Sequence, residues 1–242
     1  MISVCITTYN GENYISEQVL SILNQLKEDD EIIISDDSST DQTISIIEEL
    51  NDRRIRILKG NTFKSPIYNL ENALKEAKGD FIFIADQDDV WLPNKIEETL
   101  KYITFDNVVM SDAFLCDENL NVKSESLDSW RIYKSGFINN LYLSRYLGCC
   151  MAFHKDMLTT ILPFPPKLQA HDVWIGLLAE LKGNLTYLPI PLIKYRRHDN
   201  NFSSASNKSM NSLLYKITYR LHFFFISIFR VSKIKIKDSL FD

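Results

Sequence analysis

Three aspartates stand close together after an apolar run in the first half of the chain. Asp86, Asp88 and Asp89 follow residues 81–85, which are apolar throughout and typical of a buried strand. Carboxylates this close repel one another unless a cation lies between them, and hard divalent ions prefer oxygen ligands. Acidic residues are also common in turns and at helix starts, and a helix is expected to begin near Pro93. The cluster therefore indicates either a divalent-metal site or a helix cap.

A second acidic pair, Asp36 and Asp37, follows another apolar run, residues 32–35. Residues 36–41 are of the types that cap helices and form turns, so capping alone would account for the pair. Tyr9 comes directly after the first apolar run of the chain, where a packed aromatic side chain is the plain alternative to a ligand contact. Each of these patterns is modest when taken alone.

His171 and Asp172 begin a predicted helix whose apolar residues include Trp174 and Leu178 and which ends at Gly183. A carboxylate in such a position is able to act as a general base toward a substrate hydroxyl. An acid at the start of a helix is also favoured by the helix dipole. Both interpretations of Asp172 stay open on the residues alone.

A polar stretch, residues 195–201, follows a strand-like run, residues 190–194. Arg196 and Arg197 suit the oxygens of a diphosphate. His198 is able to ligate a metal ion or to bond to a phosphate. The alternative is a solvated loop with surface charge.

The elements that must position these residues alternate between strands and helices. Strands are predicted at 2–7, 32–35, 55–58 and 81–85, and helices near 12–26, 44–50 and 67–78, the last ending at Gly79. This alternation predicts a doubly wound, mostly parallel, Rossmann-like α/β sheet. Ligands bind such sheets beyond the carboxyl ends of the strands. Because residues 7–10, 36–37 and 86–89 follow three of the strands, we expect them to converge on one crevice.

Composition narrows the class of protein. The chain has 242 residues, 45% of them hydrophobic, which suffices for one globular α/β domain. A net charge of −5 argues against a nucleic-acid binder. The N-terminus lacks the features of a signal peptide, and no apolar run reaches the roughly 20 residues that span a bilayer, so the cytoplasm is the expected location. The sequence contains neither a G-x-G-x-x-G after the first strand nor a P-loop motif, which counts against a dinucleotide oxidoreductase and a P-loop NTPase.

Residues 2–23, 34–41 and 84–91 together resemble family 2 glycosyltransferases of the GT-A fold. The resemblance covers about residues 1–205 and leaves 206–242 as a separate tail. It is closest to bacterial enzymes of O-antigen and capsule assembly, including rhamnosyl-, galactosyl- and glucosyltransferases. It implies an α/β GT-A domain that binds a nucleotide-diphospho-sugar.

The resemblance also implies roles for individual residues. Residues 148–151 match the region that shapes the acceptor pocket, and Cys149 is disfavoured as a nucleophile. Asp88 is favoured over Asp89 as the carboxylate that touches the metal ion. The implied donor-binding residues are Thr7, Tyr9, Asp37, Asn69, Asp86, Arg197 and His198, the implied metal ligands are Asp88, Asp86 and His198, and the implied general base is Asp172.

The activity implied by the resemblance is inverting transfer of one hexose or deoxyhexose to a hydroxyl of a lipid-linked saccharide, with undecaprenyl diphosphate as the expected lipid. A Mn²⁺ or Mg²⁺ ion would stabilise the charge that grows on the leaving diphosphate. Processive members carry a Q-x-x-R-W motif and membrane spans, and neither is found here, so we expect one sugar per encounter. The alternatives are an inactive nucleotide-sugar sensor or scaffold, which the presence of Asp88 and Asp172 disfavours, and a nucleotidyltransferase, which would need a Gly- and Arg-rich loop.

The C-terminal tail is basic and amphipathic. No acidic residue lies between Asn200 and Lys237, and the basic residues there are Lys208, Lys216, Arg220, Arg230, Lys233, Lys235 and Lys237. A helical wheel places seven apolar residues on one face: Leu214, Ile217, Leu221, Phe224, Phe225, Ile228 and Val231. This pattern predicts an interfacial helix in peripheral contact with the inner face of the cytoplasmic membrane. A helix packed on the catalytic domain or on a dimer partner is the alternative.

Overall fold

The computed structural model describes residues 1–126, 133–198, 201 and 213–238, with side chains of the last segment described for 217–234. The predicted boundary between residues 205 and 206 lies outside the described residues, as do Lys208 and the side chains of Leu214, Lys216, Lys235 and Lys237.

The first half of the chain forms the parallel part of a mixed sheet. Its elements are β1 (Ile2–Thr8), α1 (Ile15–Leu23), β2 (Glu31–Asp36), α2 (Thr43–Glu49), β3 (Ile55–Leu58), α3 (Pro66–Glu76) and β4 (Phe81–Asp86). The strands lie in the order β3-β2-β1-β4, and all three pairings are parallel. The predicted alternation of strands and helices is therefore confirmed for this half.

The second half continues the same sheet with strands of both directions. Its elements are β5 (Val90–Trp91), α4 (Lys95–Leu100), β6 (Val108–Cys116), β7 (Val122–Ser124), α5 (Phe137–Tyr142), β8 (Met151–His154), α6 (Leu158–Ile161), α7 (His171–Lys182), β9 (Leu185–Arg196) and α8 (Leu213–Asp238). The order from β4 onward is β8-β6-β9-β5, in which only β6 and β9 pair in parallel. The parallel order thus holds on one side of the sheet, and β8 reverses it.

The central strands have unbroken apolar sequences because both of their faces are buried. Ile32, Ile33 and Ile34 of β2 are all fully buried, because helices cover both faces of this part of the sheet. Burying each such side chain contributes about 1.5–3 kcal/mol to folding. In the second half Trp174 of α7 is fully buried, and its indole nitrogen donates a hydrogen bond to the carbonyl of Ile161 at 2.9 Å.

Gly79 has a different role from the helix-ending one that the sequence predicted. Helix α3 ends at Glu76, and the next residue, Ala77, is extended. The Gly79 amide instead donates to Ser3 Oγ at 2.7 Å, and a Cβ at this position would lie 2.6 Å from the Ser3 nitrogen. The glycine is needed because two backbone segments approach closely here. Gly183, by contrast, ends α7 in the left-handed conformation as predicted.

Helix α8 packs against the domain and also presents apolar side chains to solvent. Phe223, Ser227 and Val231 are buried, and the helix contacts α5, α6 and α7. The predicted apolar face is therefore wrong for Val231, which faces the domain. None of the helices in the described part of the chain has the length and hydropathy that crossing a membrane requires.

Candidate active site

The carboxyl ends of β1, β2 and β4 meet at one edge of the sheet, as the sequence predicts. Thr7 of β1 is in register with Ser35 of β2 on one side and with Asp86 of β4 on the other. Gln87 then joins the loops that follow β1 and β4, since its side chain accepts a hydrogen bond from the Tyr9 amide at 2.9 Å and donates to the Tyr9 carbonyl at 3.1 Å. This arrangement leaves the Tyr9 ring exposed at the crevice.

The acidic pair after β2 has two separate structural tasks. Asp36 accepts hydrogen bonds from the Thr8 hydroxyl at 2.9 Å and from the Ser39 amide at 2.8 Å, so it ties the β1 loop to its own turn. Asp37 accepts backbone hydrogen bonds from Phe63, Lys64 and Ser65 at 2.5, 3.1 and 3.0 Å. These contacts fix Asp37 beside the start of α3, and its predicted contact with the nucleotide base stays a prediction.

Asn69 lies beneath the first loop rather than on its surface. Its side-chain amide donates to the Thr8 carbonyl at 3.2 Å, and the Asp37 amide donates to the same carbonyl at 3.0 Å. The residue is buried, with only 1% of its surface exposed. In this structure Asn69 therefore supports the loop between Thr7 and Tyr9, and a direct contact with the donor remains untested.

The three aspartates after β4 occupy different environments. Asp89 is fully buried, where its Oδ1 accepts a hydrogen bond from the Arg196 amide at 3.0 Å and its Oδ2 has no partner among the described residues. Ligand atoms of Asp86, Asp89 and Cys149 lie within 4.8 Å of one another. Burial, together with the charges of Asp88 and Asp172, raises the pKa of Asp86 to about 7. This crowding of carboxylates is the condition that a bound cation relieves.

Asp88 meets His198 on the outer side of this cluster. The distance between Asp88 Oδ2 and His198 Nε2 is 2.9 Å, and the Asn201 amide donates to the same carboxylate oxygen at 2.8 Å. The His198 ring packs on Tyr14 with 4.7 Å between the ring centroids. The carboxylate oxygen suits either Mn²⁺ or Mg²⁺, and the imidazole nitrogen beside it suits the transition ion Mn²⁺ better than Mg²⁺. The sequence separates these two residues by more than a hundred positions, and only the fold brings them together.

Arg196 differs from its predicted role as a diphosphate ligand. The side chain is buried, with Nε donating to the Asp88 carbonyl at 2.7 Å, Nη1 to the Glu118 carbonyl at 2.7 Å and Nη2 to Glu17 Oε2 at 2.5 Å. The guanidinium also lies over the Tyr14 ring, 4.7 Å from its centroid. Arg196 thus holds the acidic loop in place, whereas Arg197 is half-buried and keeps its predicted donor contact as a prediction.

Asp172 lies in the first turn of α7, against the turn that precedes β8. A Cβ on Gly148 of that turn would lie 2.5 Å from His171 Nε2 and 3.6 Å from the Asp172 Cβ. The next residue, Cys149, is fully buried, and its thiol lies within 4.8 Å of carboxylate oxygens of Asp86 and Asp89. The turn before β8 therefore contacts both the start of α7 and the acidic cluster.

A model of the family described as Glycosyl transferase family 2 matches residues 3–162, which include the crevice and its acidic cluster. The chain belongs to this family. The match ends before α7, so Asp172 and His198 lie outside it. The family that the sequence motifs resembled is therefore confirmed, and the roles of individual site residues remain predictions.

Similar proteins agree with this membership. The chain is 26% identical to the UDP-Glc:alpha-D-GlcNAc-diphosphoundecaprenol beta-1,3-glucosyltransferase WfgD of Escherichia coli over 214 residues, covering 87% of this chain and 82% of the relative. Among solved structures it is similar to S. aureus TarS in complex with UDP-GlcNAc, with a TM-score of 0.68, 20% identity and coverage of 92% of this chain and 71% of that one. It is also similar to the mannosyltransferase PcManGT from Pyrobaculum calidifontis in complex with GDP-Man and Mn²⁺, with a TM-score of 0.56, 19% identity and coverage of 78% of this chain and 54% of that one. These structural likenesses establish the GT-A fold of this glycosyltransferase.

Several residues that shape the site carried no recognisable sequence pattern. Gln87 locks two loops together, and Gln18 donates a hydrogen bond from α1 to the Asp86 carbonyl at 2.7 Å. Tyr14 lies between Arg196 and His198. The only hint in the sequence was the position of these residues near strand ends, because their partners are distant along the chain.

Proposed function

We propose that this glycosyltransferase transfers one hexose or deoxyhexose from a nucleotide-diphospho-sugar to a hydroxyl of an undecaprenyl-diphosphate-linked saccharide, with inversion and without processivity. The observation that carries the proposal is the contact of Asp88 with His198 beside the Asp86–Asp89 cluster. Asp172 lies apart from this pair, against Gly148, whose neighbour Cys149 belongs to the same cluster. A metal-binding pair and a separate carboxylate are the two parts that direct displacement of a diphosphate requires.

Mn²⁺ or Mg²⁺ would be held by Asp88 and His198, with Asp86 completing the set. When bound, such an ion neutralises the negative charge that grows on the leaving diphosphate. The crowded carboxylates Asp86 and Asp89 fit this requirement, because without a cation their mutual repulsion is unrelieved. Asp89 is fully buried, whereas Asp88 is half-buried and therefore more accessible to an incoming ion, which favours Asp88 as the ligand.

Asp172 would act as the general base. It accepts the proton of the acceptor hydroxyl as that oxygen attacks the anomeric carbon, and the nucleoside diphosphate departs from the opposite face. One base and one displacement invert the anomeric centre. Asp172 lies in the first turn of α7, where a negative charge interacts favourably with the helix dipole.

The donor would lie along the carboxyl ends of β1, β2 and β4. The exposed Tyr9 ring offers a stacking surface for the base, and Thr7 and Asp37 lie on either side of the loop that carries it. Arg197, one residue before His198, would contact the diphosphate. An undecaprenyl-linked acceptor is supported by the relative WfgD, which is a glucosyltransferase acting on alpha-D-GlcNAc-diphosphoundecaprenol. It also implies that the enzyme works at the inner face of the cytoplasmic membrane as a peripheral protein.

A panel of nucleotide sugars tests the proposal directly. Release of nucleoside diphosphate is measured for each donor with metal-stripped protein and again after adding Mn²⁺ or Mg²⁺. We expect release with one or a few donors, and only with metal. No release above background from any donor, with or without lipid-linked acceptor, would favour a nucleotide-sugar sensor or scaffold instead.

A further inference from the structure

An exposed apolar surface runs along α8 and onto α5. On α8 the side chains of Ile217, Leu221, Phe225, Ile228 and Phe229 are exposed, and they recur at the three- and four-residue spacing that puts them on one side of the helix. On α5 the neighbouring exposed side chains are Ile138 and Tyr142, followed by Leu143. We call these eight residues the α5–α8 surface.

The two helices present this surface as one unit because they contact each other directly. The Phe137 and Phe224 rings are 5.9 Å apart, and Arg220 donates a hydrogen bond to the Tyr142 carbonyl at 2.7 Å while its guanidinium lies over the Tyr142 ring. Phe223 and Val231, on the other side of α8, are buried against the domain. The helix therefore has two apolar faces, one packed against the domain and one exposed to solvent.

The charged side chains that α5 and α8 themselves carry up to residue 237 are all basic. Arg220 and the exposed Lys233 lie beside the surface on α8, and Arg145 comes two residues after Leu143. Apolar side chains that insert beside cations suit the interface of a bilayer containing anionic lipids. A second copy of the chain is a poorer partner, because pairing this surface with itself would bring the cations of one copy toward those of the other.

We propose that the α5–α8 surface docks on an anionic lipid bilayer. Contacts of its C-terminal half hold α8 on the domain, so that the exposed face stays directed outward. Arg230, in that half, lies over the Trp174 ring at 5.2 Å and donates to the carbonyls of Leu162 and Pro163 at 2.8 and 2.7 Å. Trp174 is the fourth residue of α7, so this part of α8 packs near the N-terminal end of that helix.

This docking rests on the proposed lipid-linked acceptor, which gives the surface a purpose. An acceptor whose diphosphate stays at the bilayer interface keeps its sugar close to the membrane, where a docked enzyme meets it without extracting the lipid. Anionic lipid headgroups and the acceptor diphosphate would both attract the cations beside the surface, so the vesicles in the test below contain no acceptor.

Substitutions on the exposed face test the proposal better than deletion of α8, which would uncover Trp174. The full chain and the variant Phe225→Glu/Phe229→Glu are mixed with vesicles of 30% phosphatidylglycerol in phosphatidylcholine, and with pure phosphatidylcholine, at low salt. Phe105→Glu is the matched control, because Phe105 is 74% exposed, Phe229 is 71% exposed, and Phe105 lies outside the α5–α8 surface. Sedimentation measures binding, and release of nucleoside diphosphate without acceptor measures the integrity of the donor site.

We expect the full chain and the control to bind the anionic vesicles and the double variant to bind at least about 10-fold more weakly, because two apolar contacts are replaced by two negative charges. Donor hydrolysis should be equal in all three proteins. Equal vesicle binding by the double variant, or no binding by the full chain, overturns the proposal. A dimer of the full chain that the double variant loses would assign the surface to a second copy instead. Failure of the proposed function is distinguishable, since it would remove donor hydrolysis from all three proteins and leave their vesicle binding unchanged.

Discussion

At the scale of single residues, the site depends on two groups of atoms with different tasks. Asp88 and His198 converge within 2.9 Å, and Asn201 holds the same carboxylate oxygen. Asp172 stands apart at the start of α7 and is not hydrogen-bonded to either of them. The separation allows each group to be removed while the other stays in place, and the two predictions that follow use this.

Replacing the proposed base should affect transfer without affecting donor binding. We expect Asp172→Asn to lower kcat by about 10²–10⁴, because the acceptor proton no longer has a strong acceptor group. The affinity for the nucleoside diphosphate, measured by calorimetry in the presence of Mn²⁺, should stay nearly unchanged. Asp29→Asn, at an exposed position, is the control and should turn over normally. Unchanged turnover in Asp172→Asn would remove this residue from its proposed role.

Removing the metal or its ligand should affect both binding and turnover. We expect EDTA to stop the reaction, Mn²⁺ or Mg²⁺ to restore it, and Asp88→Ala to respond to neither ion. Paramagnetic resonance of Mn²⁺ should show loss of tight ion binding in Asp88→Ala and not in the Asp29→Asn control. Full activity of a metal-stripped sample would show that the acidic cluster has another purpose.

At the scale of elements, the Arg196 side chain joins the acidic loop after β4 to two other segments of the chain. Arg196 at the end of β9 reaches the Asp88 carbonyl, the Glu118 carbonyl and Glu17 of α1. The guanidinium is buried, whereas its partner Glu17 remains half exposed. The end of β9 therefore couples the position of the loop after β4 to that of α1.

Arg196→Met tests this coupling. We expect a loss of roughly 1–3 kcal/mol in the free energy of unfolding, measured with urea, because the hydrogen bonds of a buried guanidinium to two carbonyls and to Glu17 are removed. Mn²⁺ affinity should fall as well, since Asp88 loses its backbone restraint. Arg53→Met is the matched control, as its contact with Glu28 is largely exposed and should contribute less than about 1 kcal/mol. Equal stability of the two variants would contradict the coupling.

Gly148→Ala tests the contact between the turn before β8 and the start of α7. The added Cβ would lie 2.5 Å from His171 Nε2, so the His171 ring must move, and this movement next to Asp172 is expected to displace the carboxylate. We expect kcat to fall by about 10- to 100-fold, because small displacements of a catalytic group are costly. Adding His171→Ala to the Gly148→Ala variant should restore part of the lost kcat, because it removes the imidazole that the new Cβ would contact. A Gly148→Ala variant with normal kcat would show that the contact relaxes without moving the base.

At the scale of the whole molecule, the proposed reaction brings donor and acceptor together in one crevice. The parallel strands would supply the donor side, and the second half of the chain carries Asp172 at the start of α7 and His198 just after β9. If one base activates one attack across this crevice, no covalent intermediate forms. The anomeric configuration of the product is then opposite to that of the donor.

The anomeric configuration of the product therefore tests whether one base activates one attack across the crevice. We expect the coupling constant of its anomeric proton, measured by NMR, to correspond to inversion for whichever donor the panel identifies. A donor with the opposite anomeric configuration serves as a control and should give no product. Retention of configuration would be incompatible with Asp172 as the only base, whatever the effect of its substitution.

The local pattern of residues determined the family, the GT-A fold, the parallel strands and the convergence of three polar loops. These features depend on periodicity and on short motifs, whose residues are neighbours in the chain or follow equivalent strand ends. The helix ended by Gly183 was also predictable, because a left-handed cap is a local requirement. Asp172, Asp88 and His198 were found as separate candidates by the same kind of reasoning.

Only the tertiary structure decided which of these candidates meet. The contact of Asp88 with His198, the burial of Arg196 and the face of α8 that packs on the domain all join residues far apart in the chain. The sequence of an amphipathic helix shows which residues share a face but not what that face packs against. Val231 was therefore assigned to the exposed face, although it is buried. Arg196 and Arg197 are chemically identical neighbours. The fold buries the Arg196 side chain, where it holds the acidic loop, and leaves Arg197 half-buried as a candidate ligand of the donor.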